Sequence, residues 1–192
     1  PTHLTAWLGQ LPTTQQPRVL DIGCGNGPIT EYLLERGLTV VATDINRAAL
    51  TELQRRHPET RCIACDATDS QGLPVPVASF DAAVCQLVIS VAGDRTDRSQ
   101  LLTNIHDALR PDGALFISFS GLSDDINPAY AQLYARDAAD TGEYGSYFSR
   151  DAADRILYRT HHFSEHEARG ALQDHGFCDI VLTSHIETSS RR

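Results

Sequence analysis

Short β-branched apolar runs alternate along this chain with stretches in which apolar residues recur every three or four positions. The runs predict buried strands, and the periodic stretches predict amphipathic helices. The predicted strands are residues 18–22, 38–43, 61–65, 80–89, 114–119 and 177–184, and the predicted helices are residues 28–36, 47–56, 98–109 and 165–174. This alternation is typical of an α/β fold with a doubly wound, mostly parallel sheet that carries helices on both faces.

The alternation is interrupted after the fifth predicted strand. Residues 121–163 form an aromatic-rich insert that holds five of the six tyrosines, namely Tyr130, Tyr134, Tyr144, Tyr147 and Tyr158. A structureless loop of this length is uncommon in a compact domain, so we expect the insert to be partly helical and functional. Its aromatic side chains predict a lid over the substrate. The alternative is an extra helical layer in which the tyrosines only pack.

Chain length, net charge, the length of apolar runs and the number of cysteines limit the possible classes of protein. A chain of 192 residues can bury its own core, so we expect a single domain over residues 1–192. The net charge of −9 argues against general nucleic-acid binding. No apolar run reaches the roughly 18 residues of a membrane span.

The odd number of cysteines, five, favours a reduced, cytoplasmic protein. Cys62 and Cys65 fall on opposite faces of a predicted strand, so no metal site is expected.

The stretch VLDIGCGNGPIT, from Val19 to Thr30, follows the first predicted strand directly. Its glycines have the spacing G-x-G-x-G, whereas dinucleotide-binding loops favour G-x-G-x-x-G with a pyrophosphate on the next helix. Asp21 lies two residues before the first glycine. A carboxylate in that place repels a pyrophosphate and suits an ammonium group. The loop therefore predicts a cradle for a cationic ligand.

Two further carboxylates end the next two predicted strands. Asp44 follows the second strand, where an acidic side chain accepts the hydroxyls of a ribose, and Asp66 follows the third strand. Asp66 can accept from an exocyclic amine such as that of adenine, while Ala67 leaves room for the ring. The predicted ligand is a nucleoside that bears an ammonium group and no phosphate, and S-adenosylmethionine has this composition.

The motifs VLDIGCGNG, VVATDIN, CIACDATD, FDAAVCQLVI and LRPDGALFIS follow one another over residues 18–119. In order and spacing they resemble the class I S-adenosylmethionine-dependent methyltransferases, in particular the small-molecule, type 11-like group, whose fold is Rossmann-like. The resemblance implies that S-adenosylmethionine is the cofactor. The cofactor-binding residues that it implies are Asp21, Gly23, Gly25, Asp44, Ile45, Asp66, Ala67, Gln86 and Leu87. The family usually ends in two strands, and the pattern predicts one of them, so the seventh strand is missing, shortened or outside this sequence.

The segment after the fourth strand, Cys85-Gln86-Leu87-Val88, excludes several classes of acceptor. It lacks the motifs of enzymes that methylate base amines, cytosine C5 or arginine, and the acidic cluster that holds magnesium in catechol-type enzymes is absent. A small-molecule acceptor is expected, with its attacking atom undetermined.

The best candidates for catalysis are His161 and His162, which precede a helix N-cap at Ser164. A histidine there has a pKa suited to a general base at neutral pH, and the alternative is support of the lid. Tyr147, Arg150 and Tyr158 are the candidate substrate-binding residues. The charged run at residues 150–155 predicts a solvated helix face.

Other functions fit parts of the pattern. A tRNA methyltransferase that uses Arg191 and Arg192 on phosphate is the first alternative, although the acidic balance counts against it. A non-catalytic S-adenosylmethionine-binding module is the second, and a nicotinamide-dependent dehydrogenase is a more distant one.

Overall fold

A computed structural model describes residues 2–11 and 17–185 of the chain. The strands are β1 (Arg18–Ile22), β2 (Thr39–Asp44), β3 (Arg61–Ala64), β4 (Phe80–Gln86), β5 (Leu109–Ser118), β6 (Ser146–Arg150) and β7 (Ile156–His161). The α-helices are α1 (Thr2–Leu8), α2 (Pro28–Leu34), α3 (Arg47–Arg56), α4 (Arg95–Ala108), α5 (Pro128–Thr141) and α6 (Glu165–Asp174). Arg191 and Arg192 lie outside the described residues. No helix in these two ranges is long and apolar enough to cross a membrane.

The central sheet is parallel and has the strand order β3-β2-β1-β4-β5. The order reverses between β1 and β4, and ligands of such sheets bind beyond the carboxyl ends of the strands at this reversal. Leu20 of β1 packs with Leu101 and Ile105 of α4 on one face, whereas Val19 packs with Leu33 of α2 on the other. Burial on both faces explains the continuous apolar runs. The predicted doubly wound, mostly parallel α/β fold is confirmed.

The insert at residues 121–163 contains α5 and the antiparallel hairpin β6–β7. Its two ends meet beyond β5, where Phe163 N–H donates to the carbonyl O of Ser120 at 2.8 Å and Leu122 N–H donates to that of Phe163 at 2.9 Å. The hairpin packs against the 3₁₀ turn Val88–Val91 that follows β4. The insert therefore leaves the sheet and returns to it at the carboxyl edge. Its function as a lid stays a prediction.

Two predicted boundaries are wrong for local reasons. The predicted strand at 80–89 ends at Gln86, because Leu87 has a left-handed backbone (φ +61°) and leads into the 3₁₀ turn. The helix predicted from residue 98 begins at Arg95, because Asp94 and Asp97 form a capping box whose polar first turn carries no apolar periodicity.

Two predicted elements are also wrong. Residues 177–184 form no strand; Ile180 and Leu182 pack on the core, but Asp179 has φ +52° and interrupts the extended run. The run at 150–155 is the hairpin turn rather than a helix face. The Asp151 carboxylate accepts from the N–H groups of Ala153 and Arg155 at 2.9 and 3.0 Å and closes this turn.

Candidate functional site

The glycine-rich loop follows β1 at the carboxyl edge of the sheet. Gly23 and Cys24 N–H donate to the carbonyl O of Thr43 at 2.8 and 3.0 Å, which ties the loop to β2. Gly23 has φ +67°, and a Cβ there would clash with Val88, so this position requires glycine. Gly25 has φ +54°, but a Cβ there would meet no atom within 4 Å. Gly25 therefore opens onto free space where a ligand can approach the backbone.

Asp21 is a buried carboxylate beneath this loop, with 2% of its surface exposed. Burial raises its pKa from 3.8 to about 6; a hydrogen bond from Thr30 Oγ1, 2.6 Å from Oδ2, opposes this rise, and the charge of Asp44 adds to it. At neutral pH the carboxylate is mostly ionised, and Thr30 is the side chain that donates to it. A bound ammonium group would supply the opposite charge that this carboxylate lacks.

Asp44 joins the loop to the start of α3. Its Oδ2 accepts from Gly25 N–H and its Oδ1 accepts from Asn46 N–H, both at 2.7 Å. Each carboxylate oxygen has a second lone pair, so that both oxygens can still accept from ligand hydroxyls. Ile45 is exposed beside it. Asn46 caps α3 by accepting from Ala48 and Ala49 N–H, which fixes the direction in which the chain leaves Asp44.

The remaining predicted cofactor residues lie along the same edge. Asp66 Oδ1 accepts from Thr68 N–H at 2.9 Å and from its hydroxyl at 2.7 Å. The carbonyl of Ala67 accepts from Asn104 Nδ2 at 2.9 Å. Gln86 ends β4, and the exposed Leu87 donates its N–H to the carbonyl of Ser118 at 3.0 Å. All the predicted cofactor residues therefore lie at or just after the carboxyl ends of β1 to β4.

His162 lies inside a tyrosine cluster, which consists of Tyr130, Tyr134, Tyr144 and Tyr147. Its ring contacts three of them edge-on, with centroids 4.7 Å from Tyr130, 5.8 Å from Tyr134 and 5.4 Å from Tyr147. Burial and the neighbouring His161 lower the pKa of His162 to about 4. The imidazole is therefore neutral at physiological pH.

His161 points to the opposite side of the hairpin. Its Nδ1 is 2.8 Å from Ser146 Oγ and its Nε2 is 3.0 Å from Glu167 Oε1, so both ring nitrogens have partners within the protein. Its side chain is 1% exposed. His161 thus links β6 and β7 to α6 and has no free nitrogen for a ligand.

Near His161, Glu143 forms an ion cluster with Arg95, Arg98 and Arg159, which donate to it at 3.2, 2.8 and 2.7 Å. Burial alone would raise the pKa of Glu143, but the hydrogen bond and charge of Arg98, together with hydrogen bonds from Arg95 and Ser146, outweigh burial and lower it to about 2. The cluster attaches the insert to the first turn of α4.

Of the three predicted substrate residues, Tyr147 and Tyr158 lie on the same surface and Arg150 does not. Tyr147 and Tyr158 share one face of the hairpin, because the ladder pairs them with Thr160 and Ser149 in alternating order. Tyr147 belongs to the tyrosine cluster. Arg150 does not; its Nη1 donates to both oxygens of the buried Asp137 at 3.2 and 3.1 Å. An open cleft of about 410 Å³ between α5 and the segment that follows it is lined by Tyr134 but by none of the predicted cofactor residues.

Comparison with known proteins identifies the domain. The family described as a methyltransferase domain matches residues 20–117, which are 98 of the 192 residues. The chain belongs to this family. The match runs from β1 to β5 and therefore contains the loop, Asp21, Asp44 and the edge of the sheet described above.

Curated relatives of this methyltransferase domain act on different acceptors. It is 30% identical over 129 residues to malonyl-(acyl-carrier protein) O-methyltransferase of Enterobacter lignolyticus, which covers 67% of this chain and 48% of that protein. It is 34% identical over 113 residues to trans-aconitate 2-methyltransferase of Variovorax paradoxus, covering 57% and 41%. The chain thus spans about half the length of the curated relatives that it matches.

Solved structures agree with the fold. An S-adenosylmethionine-dependent methyltransferase from Methanosarcina mazei superposes with a TM-score of 0.78 at 26% identity, over 88% of this chain and 82% of that one. The 1,6-didemethyltoxoflavin-N1-methyltransferase of Burkholderia thailandensis has a TM-score of 0.61 at 27% identity, over 91% and 64%. That structure holds 1,6-didemethyltoxoflavin and S-adenosylhomocysteine.

The residues of this methyltransferase domain fit S-adenosylmethionine, because the ionised Asp21 and the open side of Gly25 suit a cationic ligand that approaches the backbone.

The sequence did not predict the contacts of Thr30 and Tyr134. Thr30 is visible only as a polar residue in the first turn of α2, where a buried apolar side chain is expected. Tyr134 stands four residues after Tyr130, which places both on one face of a helix, and this spacing was the available signal.

Proposed function

We propose that this chain transfers a methyl group from S-adenosylmethionine to a small-molecule acceptor. The observation that carries the proposal is a buried, ionised Asp21 beneath a glycine loop whose Gly25 opens onto free space. Membership of the methyltransferase domain family supports it. The names of relatives also support a small acceptor, since trans-aconitate and 1,6-didemethyltoxoflavin are small molecules.

The cofactor residues divide by chemistry. Asp21, Gly23 and Gly25 are proposed to hold the amino-acid end, with the carboxylate of Asp21 facing the ammonium group. Asp44 is proposed to accept from the ribose hydroxyls while it continues to accept from Gly25 and Asn46 N–H. The remaining contacts are proposed as follows: Ile45, Asp66 and Ala67 at the nucleoside end, and Gln86 and Leu87 at the methyl end.

The acceptor is proposed to bind at the tyrosine cluster and at Tyr158, which lies outside that cluster on the same hairpin face as Tyr147. Tyr147 and Tyr158 share one face of the hairpin, and half of the surface of Tyr158 is exposed. Such a surface of rings and hydroxyls suits a small acceptor with a flat or apolar body. Arg150 is proposed to position the hairpin through Asp137 and not to touch the acceptor, because its Nη1 already donates to Asp137 and to the carbonyl of Phe148.

When bound, S-adenosylmethionine supplies an electrophilic methyl group, whose bond to sulfur breaks as the attacking atom of the acceptor forms the new bond. The protein contributes by holding the acceptor in line and by excluding water. Of the two histidines predicted as a base, we propose that His162 contacts the acceptor and that His161 supports the insert. His161 has both nitrogens occupied, whereas His162 has one hydrogen-bonded nitrogen.

The test is methyl transfer from S-adenosylmethionine labelled in its methyl group into a cell extract divided into small molecules, RNA and protein. We expect label in the small-molecule fraction. Asp44→Ala should lower this signal at least tenfold, and Asp107→Ala, which changes an exposed carboxylate of α4, should leave it unchanged. Label in RNA alone would replace the proposal by the tRNA alternative. S-adenosylhomocysteine binding without label in any fraction would favour a non-catalytic module.

A further inference from the structure

A hydrogen bond inside the tyrosine cluster joins the insert helix to the end of the hairpin. Tyr134 Oη on α5 lies 2.7 Å from His162 Nδ1, and both residues are buried. The distance is that of a short, well-formed hydrogen bond. The two side chains are 28 positions apart in the chain, so their contact depends on the packing of α5 against the hairpin.

The hydrogen atoms in this pair can be assigned by counting donors and acceptors. If the Tyr134 hydroxyl donates to Nδ1, the hydroxyl proton and the Nδ1 lone pair are both satisfied, and His162 carries its hydrogen on Nε2. If Nδ1–H donates instead, the hydroxyl proton and the Nε2 lone pair both lack a partner in the described part of the chain. The first arrangement leaves fewer buried polar groups unsatisfied and is favoured.

The pKa shifts of His162 and Tyr134 indicate that both side chains are neutral. Burial lowers the pKa of His162 to about 4, with a smaller effect from His161. Burial also raises the pKa of Tyr134 well above its usual value of 10, so the hydroxyl keeps its proton. A neutral imidazole in this tautomer has an acceptor nitrogen facing Tyr134 and a donor nitrogen facing away from it.

The Nε2 atom of His162 remains accessible. Within residues 2–11 and 17–185, Arg159 Nε is the one fully buried side-chain nitrogen or oxygen that lacks a hydrogen-bond partner. His162 Nε2 makes no hydrogen bond to those residues and is not among these fully buried atoms, so part of its surface contacts solvent. The rings of Tyr130 and Tyr147 stand edge-on to the imidazole, at 4.7 and 5.4 Å. The imidazole Nε2–H is thus available as a donor beside these two tyrosine rings.

We propose that Tyr134 is a positioning residue that holds His162 in the Nε2–H tautomer, and that this Nε2–H donates to a carboxylate or carbonyl oxygen of the methyl acceptor. The inference rests on the proposed function and adds a substrate class to it, namely an acceptor with an exposed oxygen on a flat or apolar body. His162 then orients the acceptor, whereas the base role predicted for it would require a free lone pair on Nε2.

The tautomer can be measured directly by nitrogen-15 NMR of the full chain labelled at its histidines, with His162→Gln to assign the signals. We expect His162 to carry its hydrogen on Nε2 at pH 7. Tyr134→Phe keeps the buried ring and removes the hydroxyl, so the preference for this tautomer should be lost. Tyr144→Phe is the matched control, because the Tyr144 hydroxyl bonds to Asp124 rather than to His162. An Nδ1–H tautomer in the wild-type protein, or an unchanged tautomer in Tyr134→Phe, would overturn the proposal.

The ligand class can be tested with two probes of similar shape. Sodium benzoate offers a carboxylate on a ring, and benzylamine offers an ammonium group on the same ring. In the presence of S-adenosylhomocysteine, benzoate should shift the His162 Nε2 signal in a saturable titration, with affinity about five- to tenfold weaker in Tyr134→Phe. Benzylamine should leave the signal unchanged. Equal effects of the two probes, or no effect of benzoate, would refute the assigned oxygen acceptor.

These outcomes are independent of turnover. If S-adenosylhomocysteine binds and the tautomer is as proposed but no methyl transfer occurs, the proposed function fails and the positioning role of Tyr134 stands. If methyl transfer occurs while Tyr134→Phe leaves the tautomer and the benzoate titration unchanged, the proposed function stands and the positioning role fails.

Discussion

Replacing Asp21 by asparagine should make the protein more stable and less able to bind its cofactor. Asp21 is 2% exposed, and burial raises its pKa from 3.8 to about 6. A shift of about two units corresponds to about 3 kcal/mol against the ionised form in the folded state. Because the folded pKa is raised, this group favours folding fully below pH 3.8 and loses that contribution as pH rises through about 6. Asparagine is neutral throughout and avoids the loss.

The gain in stability from Asp21→Asn is smaller than the free energy that burial of the charged Asp21 costs the wild-type protein. The asparagine carbonyl can still accept from Thr30 Oγ1, but its buried amide group needs a new acceptor, and leaving one polar group unsatisfied costs about 1–3 kcal/mol. This second cost does not depend on pH. The change with pH therefore reports the effect of the Asp21 charge alone. Between pH 7 and pH 4 the stability of Asp21→Asn relative to the wild-type protein should fall by about 2 kcal/mol.

The assay is urea unfolding of the cofactor-free protein at both pH values, with Asp107→Asn as a control at an exposed carboxylate. A stability difference for Asp21→Asn that is the same at pH 7 and pH 4, or that grows at pH 4, would refute the assignment of a destabilised carboxylate. Calorimetry at pH 7 should show S-adenosylhomocysteine binding at least tenfold weaker in Asp21→Asn, because the ammonium group loses its counter-charge.

Three other outcomes follow from the site and the insert. Asp44→Ala should weaken S-adenosylhomocysteine binding at least tenfold in calorimetry; unchanged affinity would remove the ribose assignment. For the wild-type protein the same affinity should fall as pH drops through about 6, because Asp21 takes up a proton, and a flat profile from pH 5 to pH 8 would contradict its role. Glu143→Ala should cost about 3–5 kcal/mol in urea unfolding because it leaves Arg98, whose side chain is 5% exposed, without its carboxylate. Arg95→Ala, at a side chain 78% exposed, should cost less than about 1 kcal/mol, and equal costs would argue against a buried cluster.

The central sheet could be predicted because its strands are buried on both faces. The buried positions of β1 and β4 are apolar except for Asp21, and they contrast clearly with the half-polar helices α3 and α4. The polar residues at the strand ends could be predicted as well, since a parallel sheet collects them at one edge. Two of the four errors lie where one residue changes the backbone direction, at Leu87 and at Asp179, both with positive φ.

The interior of the insert could not be predicted from local pattern. The contact between Tyr134 and His162 depends on the packing of α5 on the hairpin, and no short-range spacing encodes that packing. The same holds for Glu143, which gathers arginines from α4 and β7. The histidine pair could be predicted as polar residues, but not their contacts: His161 ends β7 and contacts Glu167 of α6, whereas His162 follows the strand and contacts Tyr134 of α5.

The assignment of the glycine loop to S-adenosylmethionine is tested most directly by calorimetric titration of the full chain with S-adenosylhomocysteine and, in parallel, with NAD. We predict saturable one-to-one binding of S-adenosylhomocysteine and no binding of NAD, since Asp21 repels a pyrophosphate and the loop spacing is G-x-G-x-G. Binding of NAD, or of neither compound, would contradict the assignment.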